Sequence, residues 1–244
     1  MSRLVAHRGQ KFTLPENTLE SIQQAINCGA RAVEFDVQMT ADLVPVISHN
    51  PSLLKAAGVN INITKTNYTD IKNISVGEKT RFAEQYLSIT LPSLQDMVTM
   101  LKQTPHVMVF VELKNKSVEV FGIKCLVKQV LKQLIPIQKH CVVIADNLPA
   151  LLTLRQQSTI PVGWIVHRWH EDDLKRAEKS AVDYMVINQK YYTANDYDFS
   201  ADDWNWMVYQ TNDADEALAL FDQGVDFVET NNICSMLKQL PDYK

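Results

Sequence analysis

Seven side chains in the first half of the chain have the types and the spacing that cleavage of a phosphate ester requires: His7, Arg8, Glu34, Asp36, His49, Glu112 and Lys114. Glu34 and Asp36 lie two apart in an apolar run that reads as a strand, so both carboxylates share one face. Val33, Phe35 and Val37 take the other. Glu112 and Lys114 repeat the device at the end of a second apolar run. Three converging carboxylates repel unless a cation lies among them, and oxygen-only donors suit a hard ion, Mg²⁺ or Ca²⁺, rather than zinc. His7 and His49 each close an extended run, and an imidazole exchanges a proton near neutral pH, which suits general acid–base work. Arg8 offers a forked pair of donors to a phosphate. Three carboxylates, one divalent ion, Arg8 and Lys114 leave a net charge of about +1, which attracts a singly charged phosphodiester.

Strand-like and helix-like segments alternate along the chain and must bring these groups together. Residues 4–6 read as a strand, followed by an amphipathic helix over 18–28 with Leu19, Ile22, Ala25 and Ile26 on one face. Asn17 or Thr18 caps its start and Gly29 its end. Further strands are predicted over 32–37, 44–48, 107–112, 141–145, 161–166, 184–187, 207–209 and 227–229. Helices are predicted over 94–101, 118–134, 148–157, 172–179 and 214–221. This rhythm predicts an α/β fold, a (β/α)₈ TIM barrel formed by residues 1–244 as a single domain. A doubly wound sheet would favour a glycine-rich phosphate turn after the first strand. His-Arg-Gly stands there instead, in a chain with only 7 glycines.

Two stretches break the rhythm. Residues 51–90 are polar and irregular, and read as a small insertion after the second strand region. Asn50-Pro51 turns the chain away from His49 and Leu91-Pro92 returns it, so the insertion is expected to cap the barrel mouth. Residues 188–203 hold Tyr191-Tyr192 and Tyr197 without a helical period, so one barrel helix is expected to be short or missing.

Composition narrows the class. With 46% hydrophobic and 21% charged residues in 244, the chain can bury a full core. A net charge of −4 with scattered basic residues argues against a nucleic-acid partner. Cys28, Cys125, Cys141 and Cys234 lie far apart, without a C-x-x-C pair, and read as buried small apolar side chains rather than disulfides. The chain enters a strand-like run at once, so no signal peptide is expected. Its apolar runs are too short for an integral membrane segment. A cytoplasmic location is the expectation.

The motifs Val5-Ala6-His7-Arg8-Gly9, Pro15-Glu16-Asn17-Thr18, Glu34-Phe35-Asp36-Val37, Thr40-Ala41-Asp42 and the 46–49 strand end occur in a recognisable order. Leu91-Pro92-Ser93-Leu94, Val111-Glu112-Leu113-Lys114, Thr211-Asn212 and Gly224-Val225-Asp226 continue it. In this the chain resembles the glycerophosphodiester phosphodiesterase family over nearly its whole length. The resemblance implies a small-molecule glycerophosphodiester substrate, cleaved to sn-glycerol 3-phosphate and an alcohol. It implies His7 and His49 as the acid–base pair, and Glu34, Asp36 and Glu112 as ligands of a divalent cation. Arg8 and Lys114 would contact the phosphate. Several positions depart from the family pattern. Asn50 stands for the usual Asp after the second histidine, and Leu43 for a glycine. Lys55-Ala56 replaces Arg-Thr, Ala145-Asp146 replaces Ser-Phe, and Tyr209-Gln210-Thr211-Asn212 replaces a tryptophan-led Thr-x-Asn. These changes bear on substrate recognition more than on the core chemistry.

Other groups have plainer explanations. His167 and His170 are three apart but have no third ligand in view, so a loop at the barrel mouth is expected, with Trp169 beside the pocket. Tyr209 could flank that pocket, while Trp204 and Trp206 suit core packing. His106 and His140 precede strands, at the end away from the chemistry. Two rival functions fit the same residues: a phosphodiesterase or lyase acting on another lipid-derived phosphodiester, and a barrel that binds such a diester without cleaving it.

Overall fold

The computed structural model describes residues 3–168, 170–191 and 198–243. Eight parallel strands close into a barrel: β1 (Leu4–His7), β2 (Ala32–Met39), β4 (Met108–Leu113), β5 (Cys141–Ala145), β6 (Val162–Val166), β7 (Tyr184–Asn188), β8 (Asn205–Tyr209) and β9 (Phe227–Thr230). β9 pairs with β1, which pairs with β2, so the sheet has no free edge inside the barrel. A ninth strand, β3 (Pro45–Ile47), runs antiparallel to β2 with Val37 opposite Ile47, and so returns the chain to the mouth at His49.

Period-two alternation divides each strand. Outward residues such as Val33, Phe35 and Val37 pack under the helices, as do Val109 and Val111. Inward residues fill the barrel, where Phe110, Tyr184 and Phe227 meet with ring centroids 5.5–6.0 Å apart. This aromatic floor closes the lower barrel. Truncating Phe110 to Ala would remove about 3–5 kcal/mol, because the cavity could not collapse. One inward step above the floor the side chains change character: Glu112 follows Phe110, and Glu229 follows Phe227.

The barrel helices are α1 (Leu19–Asn27), α5 (Leu94–Leu101), α6 (Asn115–Phe121), α7 (Ile123–Leu134), α8 (Leu148–Arg155), α9 (Glu171–Ser180), α10 (Ala214–Asp222) and α11 (Ile233–Gln239). Thr18 caps α1, its hydroxyl accepting the Ser21 N–H at 3.1 Å. The single helix expected over 118–134 is two helices. Gly122, at φ 77°, breaks the ladder in a left-handed conformation that a side-chain-bearing residue resists. Between β7 and β8 the described residues hold only 3₁₀ turns at Gln189–Tyr191 and Phe199–Ala201, in keeping with the absent helical period.

Residues 51–90 are more ordered than their polarity suggests. They form three one-turn helices, α2 (Leu54–Ala57), α3 (Tyr68–Ile71) and α4 (Lys79–Phe82). Leu53, Ile63, Ile71, Val76 and Ile89 build a separate small core on Val46 of β3. The segment grips the loop between β1 and α1. Arg81 Nη2 donates to the Lys11 carbonyl at 2.6 Å, and the Tyr86 hydroxyl to the Thr13 carbonyl at 2.9 Å.

One expectation is overturned. Cys28 and Cys234 form a disulfide across 206 residues, joining the end of α1 to α11. Sequence distance hid this pairing, because barrel closure makes the first and last helices neighbours. Cys125 and Cys141 are free, and only Cys141 of these two is fully buried.

Candidate active site

The turn leaving β1 is the keystone of the site. Gly9 adopts φ 82°, and a Cβ there would sit 2.5 Å from the Ser21 carbonyl carbon, so only glycine lets the turn lie against α1. Arg8 itself is left-handed at φ 56°, as is Asn17 at φ 60°. Such conformations cost energy in residues other than glycine and persist where the surroundings fix them. Here the fixing contacts are visible. The Arg8 N–H donates to Glu34 Oε2 at 3.0 Å, Nε lies 2.9 Å from Asp36 Oδ2, and Nη1 donates to Glu16 Oε1 at 3.3 Å. Asn17 clamps β2 from the same loop: Nδ2 donates to Asp36 Oδ2 at 2.7 Å, and Oδ1 accepts the Asp36 N–H at 3.1 Å.

All seven side chains singled out from the sequence converge on the C-terminal mouth. Glu34, Asp36 and Glu112 bring oxygens within 4.8 Å of one another. Lys114 Nζ lies 2.6 Å from Glu112 Oε1 and 3.4 Å from Asp36 Oδ1. His7, Arg8, His49, Glu112 and Lys114 line one cavity of about 160 Å³, whose far wall is Ile144, Ile165, Val186 and Tyr209.

His7 is almost fully buried, and its Nδ1 lies 2.8 Å from Asn231 Oδ1. An amide oxygen only accepts, so this contact assigns the proton to Nδ1 and leaves Nε2 bare toward the mouth. Burial, reinforced by the charges of Arg8 and Lys11, pushes the His7 pKa down to about 3. His49 is half-buried, with Nδ1 3.1 Å from Asn50 Oδ1. Burial, with Arg8 and Lys114 adding to it, lowers its pKa to about 4. Both rings are therefore neutral at pH 7 in the free site.

The carboxylates separate. Burial disfavours the Asp36 anion, but Arg8 and Lys114 outweigh it and hold Asp36 well below the ordinary range. Burial and the Asp36 charge raise Glu112 to about 7, and burial with Asp36 and Glu229 raises Glu34. A bound divalent cation would reverse these upward shifts.

Sequence reasoning gave no role in the site to four residues, two of which, Glu16 and Asn17, it had quoted within a motif. Glu229, buried and inward on β9, lines the same cavity, and burial with the Glu112 charge raises its pKa to about 8. Asn231 orients His7, Asn17 orients Asp36, and Glu16 holds Arg8. Glu229 had a signal, since it stands two residues beyond inward-facing Phe227 at a strand end. Asn231 had none, because its partner lies 224 positions away.

The remaining candidates fall as follows. His167 reaches the cavity rim, with Nε2 3.6 Å from Asp146 Oδ2. His170 instead caps α9, its Nδ1 accepting the Asp172 N–H, so the two histidines do not form half of a metal site. Trp204 and Trp206 are buried, and Tyr209 flanks the cavity. Trp169, Tyr192 and Tyr197 lie outside the described residues.

Fold and site define a closed (β/α)₈ barrel whose C-terminal mouth holds a carboxylate cluster flanked by two histidines. The chain belongs to the glycerophosphoryl diester phosphodiesterase family, whose model matches residues 7–234. The glycerophosphodiester phosphodiesterase of Bacillus altitudinis is 30% identical over 129 residues, covering 53% of this chain and 52% of that protein. The matched stretch thus spans about half the length of this curated relative. Among solved structures, the phosphodiesterase of Oleispira antarctica in complex with the product sn-glycerol-3-phosphate aligns with a TM-score of 0.85. It is 23% identical, over 98% of this chain and 96% of that one. The glycerophosphodiester phosphodiesterase of Thermotoga maritima aligns with a TM-score of 0.74 at 18% identity, over 98% of each chain. These two likenesses establish the shared barrel.

Proposed function

We propose that the protein hydrolyses glycerophosphodiesters to sn-glycerol 3-phosphate and an alcohol, using a divalent cation and the His7–His49 pair. The observation that carries this reading is the convergence of both histidines, Arg8, Lys114 and the carboxylates on one cavity, in a chain of this family. The sn-glycerol-3-phosphate in the Oleispira antarctica relative supports the product.

Glu34, Asp36 and Glu112 are the residues to hold the cation. Glu34 Oε1 is buried without a hydrogen-bond partner, and an all-oxygen donor set fits Mg²⁺ or Ca²⁺. When bound, the ion supplies positive charge against the phosphoryl oxygens. The chain's own groups do the rest. Arg8 and Lys114 orient the phosphodiester. His7, protonated on Nδ1 by its contact with Asn231, takes the proton of the attacking hydroxyl at Nε2. His49, on the more open side, gains a proton once the phosphate anion stands beside it, and gives that proton to the departing alkoxide. The attacking hydroxyl is water or the substrate's own 2-hydroxyl.

Residues 1–244 act as one domain, with residues 51–90 as a cap over the mouth that selects the head group. Among the described residues, no helix is long and apolar enough to cross a membrane. The Cys28–Cys234 disulfide opposes the expected cytoplasmic location, since such bonds persist in oxidising compartments.

Turnover of a panel of glycerophosphodiesters, followed by phosphorus NMR with Mg²⁺, Ca²⁺ or EDTA, tests the proposal. Glycerol 3-phosphate formed with either ion and lost with EDTA is expected. A cyclic phosphate as the end product would mean a lyase, and no turnover of any diester would mean a binding protein.

A further inference from the structure

Glu229 is a carboxylate of the mouth that the proposed reaction does not use. It is 3% exposed, and among the described residues its carboxyl group makes no hydrogen bond. His7 stands beside it, with Nε2 3.9 Å from Glu229 Oε2. Asp36 already has Arg8, Lys114 and Asn17, and Glu112 has Lys114. Glu34 and Glu229 have no such cation: among the described residues neither forms an ion pair with a Lys or Arg side chain. Two buried carboxylates without a Lys or Arg ion-pair partner are costly together as anions, and a divalent ion would offset that cost.

A His7 nitrogen and one oxygen each of Glu34 and Glu229 lie within 4.8 Å of one another, as do the oxygens of Glu34, Asp36 and Glu112. The two sets share Glu34 alone. They also differ in chemistry. One offers three oxygens. The other adds an imidazole nitrogen, which suits a borderline ion such as Zn²⁺ better than Mg²⁺ or Ca²⁺. The contact between His7 Nδ1 and Asn231 fixes the tautomer that a ligating imidazole needs.

We propose that His7, Glu34 and Glu229 form a second, inhibitory cation position selective for Zn²⁺-like ions, separated from the activating position by the shared Glu34. The inhibition follows from His7 having a single free nitrogen. Nε2 cannot hold an ion and accept a proton from the attacking hydroxyl at once. The inference rests on the proposed two-histidine hydrolysis for its inhibitory sign, and on the ligand geometry alone for its location.

The test measures Zn²⁺ binding and inhibition at saturating Mg²⁺, for wild type and Glu229→Gln, with folding checked by thermal unfolding. Crystals of wild type soaked in Zn²⁺ give its location by anomalous scattering without any variant. The expected peak lies between His7, Glu34 and Glu229, and Glu229→Gln should weaken Zn²⁺ binding and inhibition at least about 10–100-fold. A peak among Glu34, Asp36 and Glu112, or unchanged Zn²⁺ affinity in Glu229→Gln, would overturn the inference. An enzyme with no Mg²⁺ or Ca²⁺ requirement would fail the proposed function instead, while the anomalous peak would still decide the second position.

Discussion

Asn231, just past the last barrel strand, fixes the ring of His7 at the end of the first: Nδ1 stands 2.8 Å from Oδ1 across 224 residues of sequence. The barrel's closure makes this contact, and the contact decides which nitrogen faces the substrate. A hydrogen bond to a group that becomes charged is worth about 1.5–3 kcal/mol. Asn231→Ala should therefore lower kcat by about 10–100-fold with little change in KM. Steady-state kinetics reads the split, and a change confined to KM would assign Asn231 to substrate binding.

His7→Ala and His49→Ala should each reduce turnover by about 10²–10⁴-fold while leaving the fold intact. Retention of more than about a tenth of wild-type turnover by either variant would contradict an acid–base role of that size.

The lowered histidine pKa values also have a sign. An unfolded histidine takes up a proton below about 6.5, whereas folded His49 waits until about 4 and His7 until about 3. The folded state thus binds fewer protons through that window. The stability contributed by keeping these rings neutral is complete above pH 6.5 and is lost as the pH falls toward 4 and then 3. In the free enzyme, NMR of the ring carbons should show neither residue titrating across about pH 5.5–7.5, where an ordinary histidine does. A midpoint near 6.5 for either would show that water reaches it freely.

The insertion acts on Arg8 through Glu16. Glu78, almost fully buried, accepts the Glu16 N–H at 3.0 Å and pairs with Arg81 at 2.7 Å. Lys55 Nζ meets Glu16 Oε1 at 2.9 Å, the oxygen that also accepts from Arg8. Replacing residues 51–90 with a short Gly-Ser linker should raise KM and blur head-group preference, and Glu78→Gln should raise KM more than it lowers kcat. Unchanged KM and selectivity in both would make the segment structural only.

Removing the link between α1 and α11 with Cys28→Ser should cost about 2–5 kcal/mol of stability. Thermal unfolding with and without reductant checks this, since reduced wild type should match the variant. Coincident unfolding of oxidised wild type and variant would show that the bond contributes nothing.

The sequence by itself determined the barrel and the identity of the chemical groups. Period-two alternation in 32–37 and 107–112 put Glu34, Asp36 and Glu112 on inward faces, and the alternation of strands with helices required closure. Those signals are local, because a strand's two faces and a helix's apolar stripe repeat within a few residues. Tertiary structure alone decided whatever depends on closure. It brought Asn231 to His7, Glu229 to Glu34, and Cys28 to Cys234, pairs at opposite ends of the chain that no periodicity connects. It also ordered residues 51–90, whose apolar side chains are too irregularly spaced to read as helix or strand yet gather on Val46 into a core of their own. The chemistry was legible because it sits at strand ends. Its fine control was not, because that control consists of contacts between loops that only the closed barrel brings together.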